Sequence, residues 1–294
     1  MHASLARPRK PAAHTPLPLL DERGARVIVG SLPGAPVAPI APSATSLFAP
    51  RGACLASPDG PLFVCDTGHH RLLIWQHAPA ADGAPADFVI GQPGFAAEGR
   101  AMLNMPTGVD YAEGILAVAD AWNQHVLLWH GVPRERDQAP DVVLSGDLFW
   151  PFGVKFHDGG LYVADTGNRR VLAWDRVPET SCPADRIVRE GLRWPHAIAF
   201  PAGRMFVADA GEMSDELNMP YGATVAGGLL VIADTANSRL VGIGASEERY
   251  VAGEESWGPA RRDSLCWPYG VAGCGRTLVV ADTGNNRVLL WDLA

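Results

Sequence analysis

Apolar and polar residues alternate along the chain in short runs that never sustain a helical period. LFVCDTGHHRLLIWQ from Leu62, LAVADAWNQHVLLWH from Leu116, LYVADTGNRRVLAWD from Leu161, LVIADTANSRLVGIG from Leu230 and LVVADTGNNRVLLWD from Leu278 repeat one order: apolar run, polar turn, apolar run. Runs of this length bounded by Asp, Thr, Gly and Asn read as strands joined by tight turns. The units begin with an opening of the form P-x-G, or P-x-A in the fourth, and a further apolar stretch: PRGACLA at Pro50, PTGVDYA at Pro106, PFGVKFH at Pro151, PHAIAFP at Pro195, PYGATVA at Pro220 and PYGVAGC at Pro268. Between copies lies one more short strand: RVIVG at Arg26, FVIGQ at Phe88, VVLSG at Val142, RIVRE at Arg186 and RYVAG at Arg249.

Four strands in a unit of about 40–50 residues is the period of a propeller blade. Counting openings predicts an all-β, six-bladed β-propeller. The strand at Arg26 precedes the first opening, and the last unit ends without an outer strand of its own. The N-terminal strand is therefore expected to complete the last blade and close the ring, removing two open edges. On this basis, deleting residues 1–31 should cost much stability and deleting 1–20 little. The fourth unit is expected to be truncated. The repeat aspartates Asp66, Asp120, Asp165, Asp209, Asp234 and Asp282 are 54, 45, 44, 25 and 48 residues apart. After MFVADAGE no R-V-L-x-W strand follows, and the chain passes directly to the opening at Pro220. The second strand of that unit, around Phe206 and Val207, should be an edge in the propeller wall, a place for another chain or a second copy to pair, or one shielded by Glu212–Glu216.

The phrase D-T-x-N-x-R, carried by the six aspartates with Asn123, Asn168, Asn237 and Asn285 and with Arg71, Arg170, Arg239 and Arg287, resembles the NHL repeat. The resemblance covers about residues 25–293 and implies a six-bladed propeller. It implies no particular activity, since such folds host enzymes, receptors and scaffolds alike. The turn itself has a structural reading. Asp and Asn bond nearby amides, the Gly of D-T-G supplies positive φ, and Arg pairs with Asp across the turn or with a neighbouring blade.

Composition narrows the partners. Net charge is −8 over 294 residues, and no Lys/Arg cluster follows the first ten. Nucleic acid and anionic membrane both require a basic face, so neither is expected. The five cysteines form an odd set without C-x-x-C, and Cys54, Cys65 and Cys274 lie in apolar strand patterns, which reads as reduced core thiols. The start, MHASLARPRKPAAHTPLPLLDERG, lacks an apolar run of signal-peptide length and reads as a disordered Pro-rich lead over 1–24. Residues 25–294 form one propeller domain, and a cytoplasmic protein is expected.

Function should sit where equivalent positions differ. The middle residue of each opening is Arg51, Thr107, Phe152, His196, Tyr221 and Tyr269 in turn, a ring expected at one mouth of the channel. One fixed cation, an imidazole, two phenols, a hydroxyl and a phenyl ring suit a small anionic ligand or a peptide. A second ring from the turns, His69, His70, Trp122, His125, Arg169 and Glu212, should rim it. Trp75, Trp129, Trp174 and Trp291, closing third strands, and Trp150, Trp194 and Trp267, preceding openings, all read as packing between blades. No nucleophile elbow, phosphate loop or dinucleotide motif is present. The resemblance extends in part to NHL-like peptidyl-amidoglycolate lyases, in which P-H openings from several blades supply zinc ligands beside an arginine and a tyrosine. His196 stands in such an opening, with Arg51, Tyr221 and Tyr269 in the same ring, but it is the sole histidine among the openings. The first expectation is therefore a non-catalytic binding or scaffold propeller without a cofactor. The second is a metal-assisted lyase or hydrolase at the channel mouth, with a single zinc or calcium ion.

Overall fold

A computed structural model describes residues 16–35, 41–99, 102–211, 216–253 and 260–294. Two strands precede the first repeat, β1 (Leu17–Pro18) and β2 (Val27–Gly30). Unit one holds β3 (Gly52–Leu55), β4 (Leu62–Asp66), β5 (Arg71–Trp75) and β6 (Phe88–Ile90). Unit two holds β7 (Pro106–Ala112), β8 (Ile115–Asp120), β9 (His125–His130) and β10 (Val142–Leu144). Unit three holds β11 (Pro151–His157), β12 (Gly160–Asp165), β13 (Arg170–Trp174) and β14 (Arg186–Arg189). Unit four has, among the described residues, only β15 (Pro195–Ala199) and β16 (Phe206–Asp209). Unit five continues with β17 (Pro220–Ala226), β18 (Leu229–Asp234), β19 (Arg239–Ile243) and β20 (Arg249–Ala252). Unit six ends the chain with β21 (Pro268–Cys274), β22 (Thr277–Asp282) and β23 (Arg287–Asp292). No helix among the described residues is long and apolar enough to cross a membrane.

Within each unit neighbouring strands pair antiparallel, and the first strands of all units surround a central channel. The molecule is a β-propeller with five complete blades rather than six. The fourth opening yields only the two-stranded sheet β15–β16, because the chain leaves it for unit five after β16. The ring closes as the strand order requires. β2 pairs with β23 from Val27↔Leu290 to Gly30↔Arg287 and becomes the outer strand of the last blade.

Residues 17–20, expected within a disordered lead over 1–24, are part of the fold. β1 lies parallel to β20, with Leu17 opposite Tyr250, and Leu20 bridges Leu293. Leu19 and Leu20 are buried with Val231, Leu278 and Trp291 between units five and six. The prolines flanking LPLL hide this apolar segment from a reading based on composition. Residues 1–15 lie outside the described residues.

The repeated turn is a single 3-10 turn that locks blade to blade. In unit one, Asp66 accepts the Phe48 amide at 2.7 Å on one oxygen and Arg71 Nε at 2.8 Å on the other. The same Asp–Arg bond recurs at Asp165–Arg170, Asp234–Arg239 and Asp282–Arg287. The Thr after Asp donates to the opening proline's carbonyl in the next unit, Thr67 to Pro106 at 2.6 Å and Thr283 to Pro50 at 2.6 Å. Positive φ falls on the residue after the Asn position (His70, Gln124, Arg169, Ser238, Asn286) and not on the Gly of D-T-G. That Gly serves close approach: a Cβ on Gly68 would lie 2.4 Å from the Phe48 ring.

Candidate functional site

The mouth is built by the openings. Each P-x-G glycine faces the backbone of the next unit's variable residue. A Cβ on Gly52 would sit 2.1 Å from the Thr107 carbonyl oxygen, one on Gly153 2.1 Å from that of His196, and one on Gly270 2.2 Å from that of Arg51. At these positions a side chain would meet the neighbouring carbonyl, so the inner strands crowd around a narrow channel; the fourth opening carries Ala197 instead. The sequence showed the motif, but its spatial meaning appears only when adjacent units are seen together.

Arg51, Thr107, Phe152, His196, Tyr221 and Tyr269 all line that channel. The rings form a continuous stack. Phe152 and His196 have centroids 4.9 Å apart, His196 and Tyr221 4.4 Å, and Tyr221 and Tyr269 4.4 Å. The Arg51 guanidinium lies 4.9 Å from the Tyr269 centroid, a cation–π distance. Thr107 Oγ1 is spent on the Phe152 carbonyl at 2.9 Å. The space left in the channel is about 80 Å³, and its lining includes the Lys155–Asp110 ion pair at 3.0 Å.

His196 Nδ1 faces the Trp194 carbonyl at 2.8 Å, so it donates, and Nε2 is the acceptor. Burial, with the nearby Arg51 charge, lowers its pKa to about 4, so the imidazole is neutral at pH 7. Burial raises the Tyr221 and Tyr269 phenols, and both stay protonated. Arg51 is thus the one charged member of the ring. Its Nε is shut off from solvent without a hydrogen-bond partner.

The turn residues divide. His69 bonds Asp66 at 2.8 Å and packs on Phe48, His70 Nδ1 accepts the Met105 amide at 3.0 Å, and Arg169 Nε donates to the Leu192 carbonyl at 2.7 Å. These three brace neighbouring segments. His125 occupies the arginine position opposite Asp120, and burial lowers its pKa. Trp122 alone of the described rim residues presents an open ring. Glu212 lies outside the described residues.

The tryptophans before the openings depart from expectation. Trp75, Trp129, Trp174 and Trp291 are buried, yet Trp194 and Trp267 are 45% and 46% exposed. Trp267, like Met105, Trp150 and Met219, has a left-handed φ (50°) ahead of its proline, whereas Trp194 is exposed without it. Phe48, Trp122 and Phe149 are exposed as well, and Trp194 lies edge-on to His196 of the channel ring at 6.0 Å. The signal for this in sequence is an aromatic residue placed directly before a turn-opening proline.

Among the described residues no three His, Cys, Asp or Glu side chains gather to hold a metal ion. The ring itself offers one imidazole nitrogen, against the three protein ligands usual in a catalytic zinc site, so its donor set does not fit zinc. A larger cavity of about 600 Å³ opens between units two and three, over Leu148, Leu172, Trp174 and Ile187. Its arginines, Arg170 and Arg186, are already paired with aspartates.

No protein-family model matches the chain, and no curated protein matches it. Among solved structures it is similar to virginiamycin B lyase from Staphylococcus aureus, at 10% identity over 83% of this chain and 95% of that one, with a TM-score of 0.51. It is also similar to a streptogramin B lyase, at 9% identity over 87% and 96% of the two chains, with a TM-score of 0.52. At such identity the likeness is one of β-propeller fold.

Proposed function

We propose that this chain is a non-catalytic binding module, an NHL-type propeller with six blade positions, whose channel mouth takes the anionic end of a small molecule or peptide. The observation that carries this reading is the Arg51 guanidinium, the one cation among the six opening residues that line the channel. A guanidinium on the channel wall can hold a carboxylate through charge-assisted hydrogen bonds. The cavity beside it, at about 80 Å³, has room for two or three water-sized groups, taking about 30 Å³ for each. That is enough for a carboxylate. The remainder of the ligand would lie outward over Trp194 and Trp267, where flat apolar surface is exposed.

A metal-assisted lyase or hydrolase at the same mouth is the second reading, prompted by the lyases that share the fold. It would need a general base, and His196, with a pKa of about 4, is a weak one at neutral pH. Titrating the full chain with benzoate and phenylacetate, while following tryptophan fluorescence, separates the readings. Binding predicts a saturable change that Arg51→Met weakens by about 1.5–3 kcal/mol, the scale of a hydrogen bond to a charged group. A response unchanged in the variant, or none to either acid, would refute the anion site.

A further inference from the structure

Unit four lacks the partner that every complete blade supplies to its second strand. In unit three, β13 pairs with β12 so that Arg170 faces Asp165, Val171 faces Ala164, Leu172 faces Val163 and Trp174 faces Leu161. In unit four β16 pairs with β15 on one edge, and no strand among the described residues pairs with the other. Asp209 is buried like its counterparts, but it accepts only the Arg193 and Trp194 amides and has no cationic partner among the described residues. The next charged side chain described, Glu216, turns away to Arg249 in unit five.

The packing tells the same story. Complete neighbours bury twelve to fifteen apolar side chains between them, as between units one and two or six and one. The interfaces on either side of unit four bury three each. Met205, Phe206 and Val207 remain half-exposed, and Val225 of unit five is 37% exposed on the side facing the gap.

We propose that the outer edge of β16 is a docking site for a β-hairpin from a separate protein chain, whose first strand begins with arginine and continues with apolar residues. The register follows from unit three: the incoming arginine faces Asp209, and apolar residues face Ala208, Val207 and Phe206 in turn. Main-chain bonds to a free edge give the affinity, and side-chain pockets give the specificity. Burial of an acidic group without its cation makes the arginine selective, since its planar fork matches a carboxylate. The proposal is independent of the channel mouth.

The chain's own third hairpin provides the probe. A labelled synthetic peptide of residues 166–189, with Cys182→Ser, is titrated with the intact protein and followed by fluorescence anisotropy. One-to-one saturable binding is expected, with at least a ten-fold loss for the peptide carrying Arg170→Glu. Because the change is in the peptide, the protein's folding is not in question. In the complex, amide hydrogen exchange should slow at β16. No saturable binding, equal binding of the Arg170→Glu peptide, or self-association of the full chain that buries β16 without peptide binding would each overturn the proposal.

Discussion

Units three and four stand side by side and begin alike, with PFGVKF and PHAIAF followed by VAD. They end differently, and the difference separates two jobs that a blade performs. Their first two strands, β11–β12 and β15–β16, shape the channel, and unit four does this as fully as unit three: His196 takes its place in the aromatic stack. The outer two strands hold blades to each other. Where they are present Asp165 has Arg170, and Leu172 and Trp174 fill the wall toward unit two. Where they are missing the carboxylate lacks its cation and the neighbouring interfaces bury little. Channel shape and wall stability are thus separable in this fold, and the mouth can be complete in a propeller whose wall is not.

The largest expected effect is on closure. Deleting residues 1–31 removes Val27, Ile28 and Val29, all buried, together with Leu19 and Leu20. At about 1.5–3 kcal/mol per buried side chain the loss rivals a whole domain's stability of about 5–15 kcal/mol. The truncated chain should fail to give a cooperative thermal transition. Deleting 1–20 should also lower the melting temperature, because both leucines are core residues; an unchanged transition would mean the β1 segment adds nothing.

Next come the turn ion pairs. Asp282 and Arg287 are both fully buried, whereas the Arg239 side chain of the equivalent pair is 36% exposed. Arg287→Met should cost about 3–5 kcal/mol by leaving a buried charge unpaired. Arg239→Met should cost about 1 kcal/mol or less, since water reaches that pair. Urea unfolding of the two variants measures the contrast.

Unit two offers a milder case, because His125 replaces the arginine. Burial raises the Asp120 pKa from 3.8 to about 6, opposed by bonds from Asn104 and Asn123. The folded protein therefore holds this proton more tightly than the unfolded chain. The stability Asp120 confers is full below pH 4 and is lost as pH rises through 6. His125→Arg should restore the usual pair, adding about 2 kcal/mol at pH 7 and little at pH 4. Equal gains at both values would show that packing, and not charge, decides.

The smallest effect concerns tryptophans. Trp267→Ala should change stability by about 0.5 kcal/mol or less, as at other exposed sites, and Trp174→Ala by about 3–5 kcal/mol. Thermal unfolding of both would show whether the residues before the openings pack the wall or face solvent.

Much of this was legible because repeats compare themselves. The gap of 25 residues after Asp209 showed where strands were missing, and the spare strand at Arg26 showed how the ring closes. The variable position of P-x-G found the mouth, since a proline at the start of an inner strand fixes where the next residue stands. What escaped notice depends on neighbours distant in sequence. Leu19 and Leu20 read as part of a disordered Pro-rich lead, and only units five and six reveal their burial. Trp174 and Trp267 are equally apolar, but one closes a strand and the other precedes proline with positive φ. The orphaned Arg51 Nε follows from the crowding of six openings, which no single repeat discloses.

Native-state hydrogen exchange compares the two regions most directly. The amides of β16 that bond to β15 should open at least ten-fold more readily than those of β12 that bond to β11, about 1.4 kcal/mol lower in free energy, because no strand among the described residues covers the second edge of unit four. Exchange of both strands only through global unfolding, with the same free energy, would contradict the claim that the outer strands hold the wall together.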